Sequence, residues 1–171
     1  MSEDVDQSGK IENSKTRTVL AISDLNTKVL IVPSQVKRSL ILNLRSKYPP
    51  NRFYIQLFSA CLYLLLKSHL NKSETIIIDK EYIGKESQIL ECLKILSGNR
   101  KFVCEIRFSL IGKESLAHKR ALASFRLPET GSQRVTAQQL TTLVDKINKN
   151  SRALGTSLTV TVKRAKRVPT T

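Results

Sequence analysis

Apolar residues in the first quarter of the chain fall into three short runs that are rich in β-branched side chains. TRTVLAIS is followed at once by Asp24, KVLIV stops at Pro33, and SLILNL occupies 39–44. Runs of this length, bounded by turn residues, predict strands. The polar link DLNT between the first two runs indicates a hairpin. We therefore expect an antiparallel meander of three strands.

The rest of the chain alternates between helical and strand patterns. Apolar positions from Asn51 to Leu70 recur at helical spacing, and TIIID at 75–79 is the short apolar run of a buried parallel strand. Further on, ESQILECLKIL, KESLAHKRALASF and VTAQQLTTLVDKI predict helices, whereas FVCEIRFSLI and SLTVTVKR predict strands. This order predicts an α/β fold in which βαβ crossovers follow the meander in one mixed sheet, with an extra C-terminal helix and strand.

The length of 171 residues fits one domain with a core. Residues 1–16 are polar and without periodicity, which predicts a disordered arm. The expected division is this arm, one α/β domain at 17–162 and a basic tail at 163–171. No apolar run approaches the roughly 20 residues of a membrane span. The acidic start predicts no secretory signal, and three cysteines without CxxC spacing indicate a reduced, cytoplasmic protein.

Charge changes this picture most. The chain has 29 basic and 14 acidic residues, a net charge of +15. Residues 1–16 carry −2, so the remaining 155 residues carry +17. Such a surplus is most simply explained by a polyanionic partner, and we expect DNA or RNA, with an anionic membrane surface or a generic basic surface as the alternatives. The basic residues expected to contact phosphates are Lys85, Lys113, Lys119, Arg120, Lys163, Arg164, Lys166 and Arg167.

The sequence IGKES occurs twice, at 83–87 and at 111–115, each time after a predicted strand. A phosphate-binding P-loop needs more glycines and no glutamate after the lysine, so this motif is excluded. One interpretation is a strand-to-helix turn with Glu86 or Glu114 favouring the helix dipole. The other places both copies at the carboxyl edge of neighbouring parallel strands, where Lys85 and Lys113 would flank one groove.

Three carboxylates stand at the ends of predicted strands. Asp24 follows the first strand and is the only acid among the 57 residues of 17–73. Asp79 ends the fourth predicted strand, and Glu81 is two residues on. Asp24 is either a turn residue or a metal ligand, because Asp also favours turns. Asp79 and Glu81 are either strand-end charges balanced by neighbouring lysines or ligands.

The element order and these carboxylates resemble the ribonuclease H-like fold of ribonuclease H, Holliday-junction resolvases and many transposases, over about 17–150. The resemblance implies two divalent ions, Mg²⁺ or Mn²⁺, held by Asp24, Asp79 and Glu81. In the resolvase branch a late helix supplies the last ligands, which makes His118 a candidate catalytic residue. Ala121 and Leu122 stand where that branch has a further carboxylate, so Glu114, one turn before His118, would replace it.

Two functions therefore remain open. The first is nucleic-acid binding without chemistry, through a basic surface at the carboxyl edge of the sheet. The second is a metal-dependent nuclease or strand-transfer enzyme of ribonuclease H-like type. Geometry discriminates between them, because a metal centre requires its carboxylates to converge.

Overall fold

The computed structural model describes residues 2–23, 28–127 and 132–153. These residues form six strands and five helices: β1 (Ser2–Ser8), β2 (Thr18–Ile22), β3 (Val29–Val32), α1 (Ser34–Arg45), α2 (Pro50–Leu66), β4 (Thr75–Asp79), α3 (Glu86–Leu96), β5 (Glu105–Ser109), α4 (Leu116–Arg126), β6 (Gln133–Arg134) and α5 (Ala137–Ala153). The mixed α/β fold expected from the alternating pattern is thus confirmed.

All six strands belong to one mixed sheet in the order β5-β4-β1-β2-β3-β6. β1, β2 and β3 form an antiparallel meander. β4 pairs parallel with β1, β5 with β4, and β6 with β3. As a result, β1, β3, β4, β5 and β6 all end at the same side of the sheet. We call this side the carboxyl edge.

Apolar side chains cover the two faces of the sheet unequally. The larger core packs α1, α2, α3 and α5 on one face, where Leu20, Leu30 and Ile78 meet Phe53 and Leu57. On the other face α4 is the one described helix that packs, over a smaller cluster of Val19, Ala21, Val29, Ile31 and Ala121 with Phe125 at its margin. β2 and β3 are therefore buried on both faces, which explains why their sequences are unbroken apolar runs.

The prediction of a disordered N-terminal arm is wrong. Residues 2–8 form β1, which lies between β2 and β4 near the middle of the sheet. Its backbone is paired on both sides, antiparallel on one and parallel on the other. Only Val5 of this strand enters the larger core, so the segment has no apolar run for a sequence pattern to detect.

The predicted strand at 39–44 is also wrong, because these residues lie within α1. Leu40 and Leu44, four residues apart, are buried on one side of this helix, while Leu42 between them is 71% exposed. Proline favours the beginning of a helix because its φ angle is fixed, and Pro33 follows β3 and is the N-cap of α1. The meander predicted from the sequence therefore exists, but its three strands begin earlier in the chain.

The remaining predictions divide into confirmed elements and elements outside the described residues. Strands at 18–22, 29–32, 75–79 and 105–109 and helices α2 to α5 agree with the patterns. Asp24, the C-terminal strand expected at 157–164 and the basic tail at 163–171 lie outside the described residues. Among the described helices, none is both long and apolar enough to cross a bilayer.

The loop between β1 and β2 is fixed by two unusual residues. Lys37 of α1 is fully buried, and its Nζ donates to Lys10 O at 3.0 Å, Asn13 O at 2.6 Å and Thr18 Oγ1 at 2.8 Å. Gly9 has a φ of +75°, and a Cβ there would meet Arg17 O at 2.4 Å. Both the positive φ and the close approach require glycine. The loop is thereby held at the carboxyl edge.

Candidate metal centre at the carboxyl edge

Three carboxylates converge where β1 and β4 end. Val5 pairs with Ile78, so the next residues along each strand, Asp6 and Asp79, are neighbours. After Asp79 the chain turns back on itself, with Glu81 N donating to Asp79 O at 2.9 Å. One carboxylate oxygen from each of Asp6, Asp79 and Glu81 lies within 4.8 Å of the others. We call these three side chains the carboxylate cluster.

Burial and mutual repulsion act on the protonation of the carboxylate cluster. Burial raises the pKa of Asp6, Asp79 raises it further, and the Gln7 backbone N–H and His118 oppose the shift. Burial likewise raises the pKa of Glu81, and the charges of Asp79 and Asp6 add to the effect. Raised pKa values mean that the ionised cluster is unfavourable by itself. A bound cation would relieve this repulsion.

Gln7 provides a second, independent observation at the same place. Its side chain is 7% exposed, and its Nε2 donates to Gly9 O at 3.1 Å. Its Oε1, however, is buried without a hydrogen-bond partner among the described residues. Gln7 and the carboxylate cluster adjoin one crevice beside Phe58 that has no room for a water molecule. A buried amide oxygen without a donor is costly, so the end of β1 carries an unsatisfied polar atom next to the cluster in the chain.

Helix α4 supplies polar side chains to the same face of the sheet. His118 Nδ1 lies 2.6 Å from Asp6 Oδ2, and Ser115 Oγ donates to Asp4 Oδ2 at 2.8 Å. The imidazole N–H therefore donates to one Asp6 oxygen while the Gln7 N–H donates to the other, at 2.8 Å. These contacts fix the orientation of Asp6, as hydrogen bonds behind a metal ligand do.

Asp79 also has a structural role. Its Oδ1 accepts a hydrogen bond from Ile111 N at 2.7 Å, which ties the loop after β5 to the end of β4. This bond ties the second IGKES copy, which begins at Ile111, to the end of the strand that the first copy follows. Strands β4 and β5 are parallel neighbours, so both copies lie at the carboxyl edge, as the second interpretation of the repeat expected.

The two copies differ in local structure. Glu86 lies in the first turn of α3, where its charge favours the helix dipole. The corresponding Glu114 lies before α4, which begins only at Leu116. Lys85 is the N-cap residue of α3, and Lys113 is exposed in the loop before α4. The turn interpretation therefore applies to the first copy, and both lysines lie beside the same edge.

The structure brings together some predicted site residues and separates others. Asp79, Glu81 and His118 lie at one site, as expected. Glu114 does not belong to it: its side chain is 93% exposed and accepts from Lys119 Nζ at 2.8 Å. Its proposed role as a metal ligand is a misassignment, because its loop points it into solvent. Asp24 lies outside the described residues.

Asp6 is the site residue that the sequence patterns missed. It stands in the segment interpreted as a disordered arm, although Asp4, Val5 and Asp6 alternate in polarity and Gly9 follows as a turn residue. That weak alternation is the only local signal of a strand. Of the other expected phosphate contacts, Lys119 pairs with Glu114 and Arg120 is partly buried on α4. The four tail residues lie outside the described residues.

Comparison with protein-family models, with curated proteins and with solved structures gives no significant match for this chain. Inference about its function therefore rests on the site itself.

Proposed function

We propose that this protein binds nucleic acid and hydrolyses its phosphodiester backbone with a divalent cation, Mg²⁺ or Mn²⁺. The observation that carries the proposal is the convergence of Asp6, Asp79 and Glu81 within 4.8 Å at the carboxyl edge. All of their donor atoms are oxygens, which Mg²⁺ and Mn²⁺ prefer.

The order of the strands supports this proposal. An antiparallel meander of β1, β2 and β3 is extended beyond β1 by parallel β4 and β5. This arrangement resembles ribonuclease H-like nucleases, in which carboxylates on the first and fourth strands hold the metal. Asp6 on β1 and Asp79 on β4 stand at those places. Asp6 thus takes the role that the sequence pattern assigned to Asp24.

A divalent cation in this cluster would supply an activated water and neutralise the charge that develops on the phosphate. The residues of the chain supply the rest. Asp6, Asp79 and Glu81 hold the ion, and the His118 and Gln7 N–H groups keep Asp6 in one orientation. Because three carboxylates repel a phosphate, the scissile phosphate approaches only when the cation is bound. We therefore expect the nucleic acid to bind at the carboxylate cluster only when the divalent cation is present.

The charge of the chain supports nucleic acid as the substrate. The chain carries a net charge of +15, and outside the first 16 residues the net charge is +17, so the carboxylate cluster is a local group of acids in a basic protein. Lys85 and Lys113, at the loops beside the cluster, provide positive charge for adjoining phosphates. Basic residues would attract a polyanionic nucleic acid, and a divalent cation held by the carboxylate cluster would act on its phosphates.

The test is an assay of labelled DNA and RNA substrates, single- and double-stranded, with Mg²⁺, Mn²⁺ or EDTA. We expect cleavage with either cation, none with EDTA, and loss of cleavage in Asp6→Asn. Glu114→Gln is the matched control, because it removes an exposed carboxylate on the same edge and should leave cleavage intact. Tight binding without cleavage by any cation would reject the nuclease and support a binding protein without chemistry.

A further inference from the structure

A second cavity opens at the carboxyl edge, at the other end of the meander. Its volume is about 230 Å³, and its lining residues are Arg17, Ile31, Pro33, Ser34, Gln35 and Arg134. Among the described residues, two arginines and no acidic residue contribute to its walls. We call it the arginine cavity. It is distinct from the carboxylate cluster, with which it shares no lining residue.

The two arginines reach this cavity from different parts of the chain. Arg17 directly precedes β2, and Arg134 lies in β6 and pairs with Ile31 of β3. Neither guanidinium has an ion pair or hydrogen bond with another side chain in the part of the chain that the structure describes. A guanidinium offers a planar fork of donors that matches phosphate oxygens. Two such forks on one cavity indicate an anionic ligand.

The beginning of α1 adds donors to the same cavity. Pro33, the N-cap residue, provides no side-chain cap, and the first turn has no acidic residue. The first helical hydrogen bond runs from Lys37 N to Pro33 O, so the N–H groups of Ser34, Gln35 and Val36 have no acceptor within the helix. A phosphate in the arginine cavity would accept from these groups as well as from the arginines.

The sheet register places the cavity on the same face as the carboxylate cluster. Ser8 pairs with Val19, Val19 with Ile31, and Ile31 with Arg134, so these four residues form one row across the sheet. Asp6 lies two residues before Ser8 and points to the same face. Ser8 and Arg134 are three strand spacings of about 4.8 Å apart, so the distance between them across the sheet is about 14 Å. A single nucleic-acid strand can span this distance within a few nucleotides.

We propose that the arginine cavity binds a backbone phosphate of the nucleic acid, a few nucleotides from the phosphate at the carboxylate cluster. This inference rests on the proposed function and assigns its substrate a second point of attachment. The cavity sets the position and direction of the strand, and the cluster acts on it. Because phosphates are common to every sequence, the contact is independent of the bases.

The first test compares Arg17→Ala, Arg134→Ala and the double variant with Arg45→Ala. Arg45 is exposed at the opposite end of α1, so its replacement removes the same charge away from the cavity. Binding of a short fluorescein-labelled oligonucleotide is measured by anisotropy, with Ca²⁺ in place of Mg²⁺. The double variant should bind roughly tenfold more weakly than Arg45→Ala. On duplex DNA its log–log salt slope should fall by about 0.9 for each phosphate that an arginine no longer neutralises.

The second test separates the ligand from the fold. Gln35→Glu adds a carboxylate at the beginning of α1, where negative charge favours the helix dipole. The melting temperature should therefore stay the same or rise, whereas oligonucleotide binding should weaken because the carboxylate repels the phosphate. Weaker binding with an unchanged or higher melting temperature supports the cavity. Unchanged binding counts against it.

The outcomes also separate this inference from the proposed nuclease. Equal affinities of the double variant and Arg45→Ala, with metal-dependent cleavage retained, would overturn the cavity alone. Weakened binding of the double variant in a wild-type protein that cleaves nothing would support the cavity and reject the nuclease. If inorganic phosphate raises the melting temperature of wild type but not of the double variant, while oligonucleotide binding is equal in both, the cavity binds free phosphate and the inference is wrong.

Discussion

A buried ammonium contacts the loop between β1 and β2, a group of carboxylates lies where β1 and β4 end, and the surroundings of the two differ. The buried Lys37 ammonium donates to three oxygens, two of the backbone and one of Thr18, and so has an acceptor for every proton. Asp6 is buried and Glu81 is half-buried beside a third carboxylate, and burial first and repulsion second raise their pKa values. Burial disfavours the charge of Lys37 as well, because it lowers the pKa of that ammonium. The difference is that the ammonium has three hydrogen-bond acceptors within the protein, whereas the carboxylates lie beside like charges.

The comparison shows how a structural and a functional buried charge can be told apart. A structural charge has all its hydrogen bonds within the fold, because an unpaired buried group is costly. At the carboxylate cluster the fold leaves like charges together and leaves the Gln7 Oε1 without a donor among the described residues. The cation that we propose for this site would offset the repulsion. Changing each group should therefore affect different properties of the protein.

The largest effect is expected on catalysis from Asp6→Asn. Loss of a metal ligand should lower metal-dependent cleavage by more than about a hundredfold. In the absence of divalent ions the melting temperature should not fall, because the substitution removes repulsion from Asp79 and Glu81 while Asn can still accept from His118. Cleavage assays and thermal melts of the same preparations check both statements. Normal cleavage by the Asp6→Asn variant would show that Asp6 is not a metal ligand.

Lys37→Met should have its main effect on stability. The substitution keeps most of the buried aliphatic volume but leaves the acceptors on Lys10, Asn13 and Thr18 without their donor. We expect a loss of about 3 kcal/mol in the free energy of unfolding, measured by urea denaturation. Lys47→Met, at an exposed position just after α1, is the control and should change little. Equal stability of the two variants would show that the three hydrogen bonds contribute nothing.

The protonation of Lys37 gives a pH dependence of known sign. Burial lowers its pKa to about 8 in the folded protein, from 10.5 in the unfolded chain. Between these values the unfolded chain binds more protons, so stability should rise with pH across this interval. The rise is at most about 3.4 kcal/mol. The rise is measured as the difference in the free energy of unfolding between wild type and Lys37→Met at each pH, because the contributions of other titrating groups cancel in that difference. A difference that falls or stays flat would contradict the shift.

The smallest expected effect is stabilisation by the cation itself. Mg²⁺ or Mn²⁺ at a hundredfold excess over its dissociation constant should stabilise the wild-type fold by about 2.7 kcal/mol. The gain should disappear in Asp6→Asn and persist in Glu114→Gln, whose carboxylate is exposed and paired with Lys119. Thermal melts with and without the cation measure it. An equal gain in both variants would indicate binding elsewhere on the protein.

Some of the candidate site could be predicted because its signals are local. The run TIIID ends in Asp79, and both the strand and its acidic end can be read within five residues. Glu81 follows in the next turn, and His118 stands on a helix with clear periodicity. Glu114 shows the limit of such reasoning. Its distance from His118 would suit a helix, but α4 begins two residues after Glu114.

The sequence alone determined the net charge, which is a sum over all residues. It also determined helices α2 to α5 and the apolar strands β2 to β5, because each of these patterns depends on residues close together in the chain. Only the tertiary structure decided that residues 2–8 form a central strand. That strand has few apolar side chains, and its backbone pairs with residues 18–22 and 75–79. Pairings of this kind depend on distant residues, and no local pattern records them. The same pairings place Asp6 beside Asp79 and Arg134 in one row with Ser8, so both proposed sites exist only in the folded chain.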